Sequence, residues 1–127
     1  MARPPKDLTQ RELEVMHVFW RSGDATAAEA RDGLADAGLD LTYPTVANLV
    51  RNLHDKGFLE ATNGQRPFRY RPARSYEEVS GRLLGDVLDR VFLGSREQLL
   101  VRLVGQGRLT AQERALLEEV LKEQGDE

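Results

Sequence analysis

The stretch Thr42-Tyr43-Pro44-Thr45-Val46-Ala47-Asn48-Leu49-Val50-Arg51-Asn52-Leu53-His54-Asp55-Lys56-Gly57, with the residues 58–71 that follow it, contains the change of periodicity that decides the fold. In its first part Val46, Leu49, Val50 and Leu53 recur at i, i+3, i+4 and i+7, one apolar stripe on a helix. Pro44 falls in the first turn, where its missing N–H costs little, and Gly57 is the left-handed residue that ends the helix. The opposite face carries Thr45, Asn48, Arg51, Asn52 and Asp55. After Gly57 the period becomes two. Residues 58–63 read as a strand, Gly64-Gln65-Arg66 as a turn and residues 67–71 as the returning strand. Phe68 and Tyr70 alternate there with Arg69 and Arg71, so the aromatic pair is expected to face the core and the arginines to face outward.

Capping signals punctuate the chain on both sides. Thr9-Gln10-Arg11-Glu12 is a capping box that opens a helix with Leu13, Met16 and Trp20 on one stripe, widened by Val15, Val18 and Phe19. Ser22-Gly23-Asp24 stops it, and Thr26-Ala27-Ala28-Glu29 opens a short, weakly apolar helix (Ala30, Leu34) that runs to about Ala37 and ends at Gly38. From Ser75 onward all signals are helical. Ser75-Tyr76-Glu77-Glu78 caps a long helix bearing Val79, Leu83, Leu84, Val87, Leu88, Val91 and Phe92, broken at Gly94-Ser95. Ser95-Arg96-Glu97-Gln98 opens a shorter helix with Leu99, Leu100, Leu103 and Val104, and Gly105-Gln106-Gly107 closes it. Thr110-Ala111-Gln112-Glu113 caps a last helix with Leu116, Leu117, Val120 and Leu121, and residues 125–127 are expected to fray. There is no internal repeat and no low-complexity linker.

Three helices followed by a hairpin is the winged-helix order. The expected fold is therefore mainly α with a small β-hairpin: a winged helix-turn-helix domain over residues 1–74 and a helical dimerisation region over residues 75–127. In such folds the third helix enters the major groove and the wing touches backbone or minor groove. Its outward chemistry suits that task, because Asn reads adenine edges, Arg forks onto guanine or phosphate, and Thr offers a hydroxyl or a methyl. A merely solvated polar face is the plain alternative. The C-terminal bands need a surface to pack on, and a two-fold copy of the same chain is the commonest solution. Folding back onto the chain's own wing is the other. The residues expected at a dimer interface are Leu84, Val87, Leu88, Val91, Phe92, Leu99, Leu100, Leu103, Leu117, Val120 and Leu121.

Composition removes several classes of function. The 127 residues include no cysteine, which excludes disulfides, thiolate zinc sites and thiol redox switching. MARPPKDLTQ has no signal-peptide apolar core, and no apolar run approaches the roughly 20 residues of a membrane span, so a cytoplasmic protein with no membrane partner is expected. Net charge is −3, but it is unevenly placed. Residues 1–74 hold 11 Lys and Arg against 10 Asp and Glu, whereas residues 75–127 hold 7 against 11. Between Thr42 and Arg74, Arg51, Lys56, Arg66, Arg69, Arg71 and Arg74 face only Asp55 and Glu60. An ordinary mixed-charge surface and a DNA-facing basic stretch both fit that distribution.

His17 and His54 stand far apart with no ligand at metal spacing, so no metal or cofactor is expected. His17 reads as a half-buried surface residue and Trp20 as core, while His54 is placed to touch phosphate or favour the helix C-terminus. Nucleophile-elbow, Walker and HExxH motifs are lacking, and the adjacent pairs Glu77-Glu78 and Glu118-Glu119 diverge on their helices; no enzyme is expected. Two rival readings share the fold. A protein-interaction module would expose apolar anchors on the third helix and wing, where this chain has Thr, Asn and Arg. A ligand-gated regulator of the multiple-antibiotic-resistance (MarR) type would carry helices before the winged helix, and almost nothing precedes Thr9.

The ordered set of residues 8–16 with Trp20, then Thr42-Tyr43-Pro44-Thr45-Val46 and Leu53-His54-Asp55-Lys56-Gly57, then Arg69-Tyr70-Arg71-Pro72, resembles the penicillinase-repressor (BlaI/MecI/CopY) family. The resemblance covers nearly the whole chain. It implies a homodimeric winged-helix repressor of double-stranded operator DNA, with Thr42, Tyr43, Thr45, Asn48, Arg51 and Asn52 matching the DNA-reading helix and Arg66, Arg69 and Arg71 the wing. Operators in the family lie upstream of genes for β-lactam resistance or copper homeostasis, among others. Two departures stand out. The copper branch ends in a cysteine-rich tail, which this chain lacks. The β-lactam branch is released by a regulatory protease that cuts an Asn–Phe bond, and Arg102-Leu103 stands at that place here.

Overall fold

A computed structural model describes residues 7–125. Residues 1–6 and 126–127, which include most of the leader segment considered above and the end expected to fray, lie outside the described residues. The element order is α1 (Gln10–Ser22), β1 (Ala25–Thr26), α2 (Ala27–Asp36), α3 (Tyr43–Asp55), β2 (Leu59–Ala61), β3 (Arg69–Pro72), α4 (Tyr76–Arg90), α5 (Arg96–Gly105) and α6 (Ala111–Gln124). Each helix starts where a hydroxyl satisfies an orphan amide. Thr9, Thr26 and Thr110 accept from the amides of Glu12, Glu29 and Glu113, and those glutamates accept in return from the threonine amides. Ser75 and Ser95 accept from the amides of Glu78 and Gln98 at 3.0 and 3.1 Å. Gly38 and Gly57, just past α2 and α3, have φ of 94° and 86°, the left-handed region in which a side chain is strained.

The chain forms two compact units, one ending at Gly81 and one beginning at Arg82. The first holds a three-helix core closed by a sheet. Val15, Met16 and Phe19 of α1, Ala30 and Leu34 of α2, Val46, Val50 and Leu53 of α3, Phe58 just before β2 and Leu59 at its start are all buried. Gly33 lets α1 and α2 approach, since a Cβ there would lie 2.8 Å from Val18 Cγ1. Val79 of α4 is buried too, and the Trp20 indole donates to the Arg74 carbonyl at 2.9 Å.

The hairpin is more than the expected pair of strands. It is the larger part of a three-stranded antiparallel sheet of order β1-β3-β2, with Ala25 opposite Tyr70, Thr26 opposite Arg69, and Glu60 opposite Arg71. The strands are also shorter than the alternation suggests. β3 starts at Arg69, which leaves Phe68 before the strand, exposed, with Arg66 stacked 5.5 Å from its ring centroid. Tyr70 is half-buried, so the aromatic pair does not enter the core as expected. Trp20 is half-buried rather than core. His17 is exposed, edge-on to Trp20 at 5.2 Å. In the second unit α4 ends at Arg90, and a left-handed turn at Leu93 and Gly94 precedes α5. No residue of that unit is buried among those described.

Candidate nucleic-acid interface

The outward face of α3 is built by the inward one. With Val46, Val50 and Leu53 fixed in the core, the 100° helical step turns Thr45, Asn48, Arg51 and Asn52 to solvent, and all four are exposed, as are Thr42 and Tyr43 at the helix start. The Thr42 hydroxyl both caps the helix, accepting from the Thr45 amide at 3.4 Å, and donates to Thr45 Oγ1 at 2.9 Å. Tyr43, Ala47 and Arg51 lie one turn apart and line an open cleft of about 700 Å³, whose far wall is Arg66, Pro67, Phe68 and Tyr70 of the wing. Arg51 of the helix and Arg66 of the wing thus converge on one cleft, and neither is ion-paired among the described residues. Thr45, Asn48 and Asn52 form the neighbouring ridge, spaced i, i+3 and i+7.

Two further contacts set where α3 points. Lys56, immediately after its last turn, donates from Nζ to Glu12 Oε1 at 2.8 Å and to the Asp7 carbonyl at 2.9 Å. Glu12 is the capping-box acid of α1 and is buried, so one carboxylate ties the start of α1 to the end of α3. Its capping role was readable in the sequence; its second partner, 44 residues away, was not. At the same end His54 lies 3.7 Å from Asp55 and edge-on to Tyr70, ring centroids 5.7 Å apart.

The other two wing arginines are placed differently. Arg69 and Arg71 sit on the face of β3 opposite Phe68 and Tyr70, and both guanidiniums are committed to carboxylates. Arg71 donates from Nε to Glu60 across the β2–β3 pair. Arg69 donates from Nε to Asp24, and its Nη2 lies 3.2 Å from Glu29 and 3.3 Å from the Asp24 carbonyl oxygen. The hydrogen bond from Arg69, reinforced by one from the Thr62 hydroxyl, holds the Asp24 carboxyl below its usual range, and Asp24 in turn raises Arg69. The structure therefore brings Tyr43, Arg51 and Arg66 to one cleft and the other α3 residues to the adjoining ridge, but does not bring Arg69 and Arg71 there.

The arm residues expected at an interface are accessible. Leu84, Val87, Val91, Leu100, Leu103, Leu117, Val120 and Leu121 are exposed, while Leu88, Phe92 and Leu99 are half-buried. Val101, Val104 and Leu116 are exposed as well. Among the described residues no three His, Cys, Asp or Glu side chains gather as metal ligands, and no helix is long and apolar enough to cross a membrane.

The penicillinase repressor family matches residues 8–123 of this sequence. The chain belongs to that family. Penicillinase repressors are transcriptional repressors rather than enzymes. Among solved structures, the DNA-binding domain of the repressor BlaI, determined in solution, is 26% identical with a TM-score of 0.50, over 61% of this chain and 93% of that one. Two structures of MarR from E. coli, one of the oxidised form and one of a mutant with operator DNA, are each 20% identical over 94% of this chain and 76% of theirs, with TM-scores of 0.46 and 0.47. No curated protein sequence matches the chain. The winged-helix fold read from the change of period after Gly57 is the one this member of the family has.

Proposed function

We propose that this penicillinase-repressor family member binds a near-palindromic DNA operator as a homodimer and represses the genes downstream. α3 enters the major groove, where Asn48 and Asn52 read base edges and Thr42, Tyr43 and Thr45 contact base or backbone at the helix start. Arg51 and Arg66 grip phosphate from the two walls of the cleft. The apolar surface of α4 to α6 pairs with its copy, which spaces two reading helices about one helical turn apart or a multiple of it. The observation that carries the reading is the convergence of two arginines, neither ion-paired among the described residues, beside an exposed Thr/Asn ridge: long, flexible cations at a solvent face are free to bind polyanion. The polar ridge of Thr45, Asn48 and Asn52 argues against a protein-interaction module, which would present apolar anchors there.

The test is a fluorescence-anisotropy titration of the protein against a duplex from upstream of its own gene, at two salt concentrations, with scrambled duplex as competitor. Saturable binding that survives the competitor is expected. Binding that ignores sequence and vanishes at the higher salt would overturn the operator reading. The inducing signal is separate. With no cysteine for copper and Arg102-Leu103 at the family's cleavage place, incubation with a repressor-cleaving protease is expected to leave the arm intact.

A further inference from the structure

Asp24 stands where three pieces of the N-terminal unit meet. It follows Gly23, whose φ of 89° ends α1, and precedes β1. One carboxylate oxygen accepts from Arg69 Nε of β3 and the other from the Thr62 hydroxyl, just past β2, at 3.0 Å. The Asp24 carbonyl accepts from Arg69 Nη2, and the same nitrogen lies 3.2 Å from Glu29, the acid that caps α2. Arg69 is thus held by Asp24 twice and by Glu29 once, and Asp24 spans both strands of the hairpin. The backbone ladder of β2 with β3, and of β1 with β3 at Ala25–Tyr70 and Thr26–Arg69, holds the base of the hairpin, while towards the tip its own closure is Thr62 N to Arg69 O at 2.8 Å and Asn63 bonded to the Arg69 amide and the Pro67 carbonyl at 2.9 and 3.2 Å. Past Thr62 and Arg69 the sheet gives way to the wing loop, and strands this short gain from side-chain anchors at that end.

We infer that Asp24 is a positioning residue for the wing: it anchors β2 and β3 to the α1–α2 junction through Thr62 and Arg69, and so fixes where Arg66 stands relative to α3. This rests on the DNA-binding reading above. Arg69 is the ligand of Asp24 and not of phosphate. The position is sensitive because Arg66 lies three residues before Arg69, on the loop that the anchor steadies. A wing that swings freely must be ordered when DNA binds, and that ordering weakens binding without removing any phosphate contact. A phosphate ligand behaves in the opposite way, because its loss lowers the salt slope.

The full-length chain and its Asp24→Asn, Arg69→Gln and doubly substituted variants are titrated with the same upstream duplex over a salt series, with Arg66→Ala beside them. Each single change at the anchor is expected to weaken binding roughly three- to tenfold, and the double variant no more than the weaker-binding single, because both remove one interaction. Their salt slopes stay at the parental value, whereas Arg66→Ala lowers it by about one. An Arg69→Gln slope lowered by about one, or unchanged or tighter binding by Asp24→Asn, overturns the inference. Should the parental chain not bind operator at all, the DNA reading fails, and NMR of the free protein still decides the anchor. An Arg69 Nε–H signal protected in the parental chain and lost in Asp24→Asn supports it; an unprotected parental signal overturns it.

Discussion

The two units of this repressor carry equally clear helix signals and use them to opposite ends. Up to Gly81, capped helices bury their apolar stripes against one another, and every buried hydrophobic side chain among the described residues lies at or before Val79. From Arg82 onward, α5 and α6 are also capped by a hydroxyl and carry Leu and Val at helical spacing, yet nothing there is buried among the described residues. Capping and propensity are local and make a helix; they do not supply what its apolar face packs on. An exposed band of Leu and Val this long marks an interaction surface. In the N-terminal unit the partner is the rest of the unit, and in the C-terminal unit we assign it to a second copy of the chain.

The largest way to break that contrast is a charge in the arm. Leu88→Asp is expected to give monomers by size-exclusion chromatography and to cost on the order of a hundredfold in operator affinity, while Trp20, the single tryptophan, reports an unchanged N-terminal unit by fluorescence. A Leu88→Asp protein that stays dimeric would mean that the interface lies elsewhere. Glu12→Ala attacks the other unit. It removes a cap and leaves Lys56 without its buried partner, and should destabilise by about 2–3 kcal/mol in urea melts followed at Trp20. A loss below about 0.5 kcal/mol would show that the contact between α1 and α3 carries little.

Asn48→Ala leaves both folds alone and tests the reading ridge. It should relax preference at one base pair by about 1–3 kcal/mol in competition against single-substituted duplexes. Equal weakening for every duplex would remove Asn48 from base reading. The smallest effect concerns acid. Because Arg69 lowers Asp24 in the folded state, the pair's contribution is complete above the unfolded Asp value of about 3.9 and is lost as pH falls through the lower folded value. Asp24→Asn should lower stability by a constant amount at neutral pH, with the difference from the parental chain shrinking as pH falls through that acidic window. A difference confined to pH 6–8 would contradict the assignment.

Much of this architecture was legible in the sequence. The capping residues Thr9, Thr26, Ser75, Ser95 and Thr110, the Pro44 start and Gly57 stop of α3, and the stripe of Val46, Val50 and Leu53 are short-range signals, and each one stands in the structure where the spacing puts it. β1 was not legible, because two residues offer no alternation to read and Thr26 already reads as a cap. The wing shows the same limit. Alternation separates Arg69 and Arg71 from Phe68 and Tyr70, but it cannot say that Asp24, 45 residues away, waits on the arginine side. Of the three wing arginines, Arg66 at the turn is the one without an ion pair among the described residues, and it lines the cleft beside α3.

The most direct test of the account is sedimentation velocity of the full chain at micromolar concentration, alone and with the upstream duplex. A dimer alone and two chains per duplex are expected. A monomer that binds the duplex one to one with full affinity would contradict it, because the C-terminal unit would then stand without the second copy that is meant to cover it.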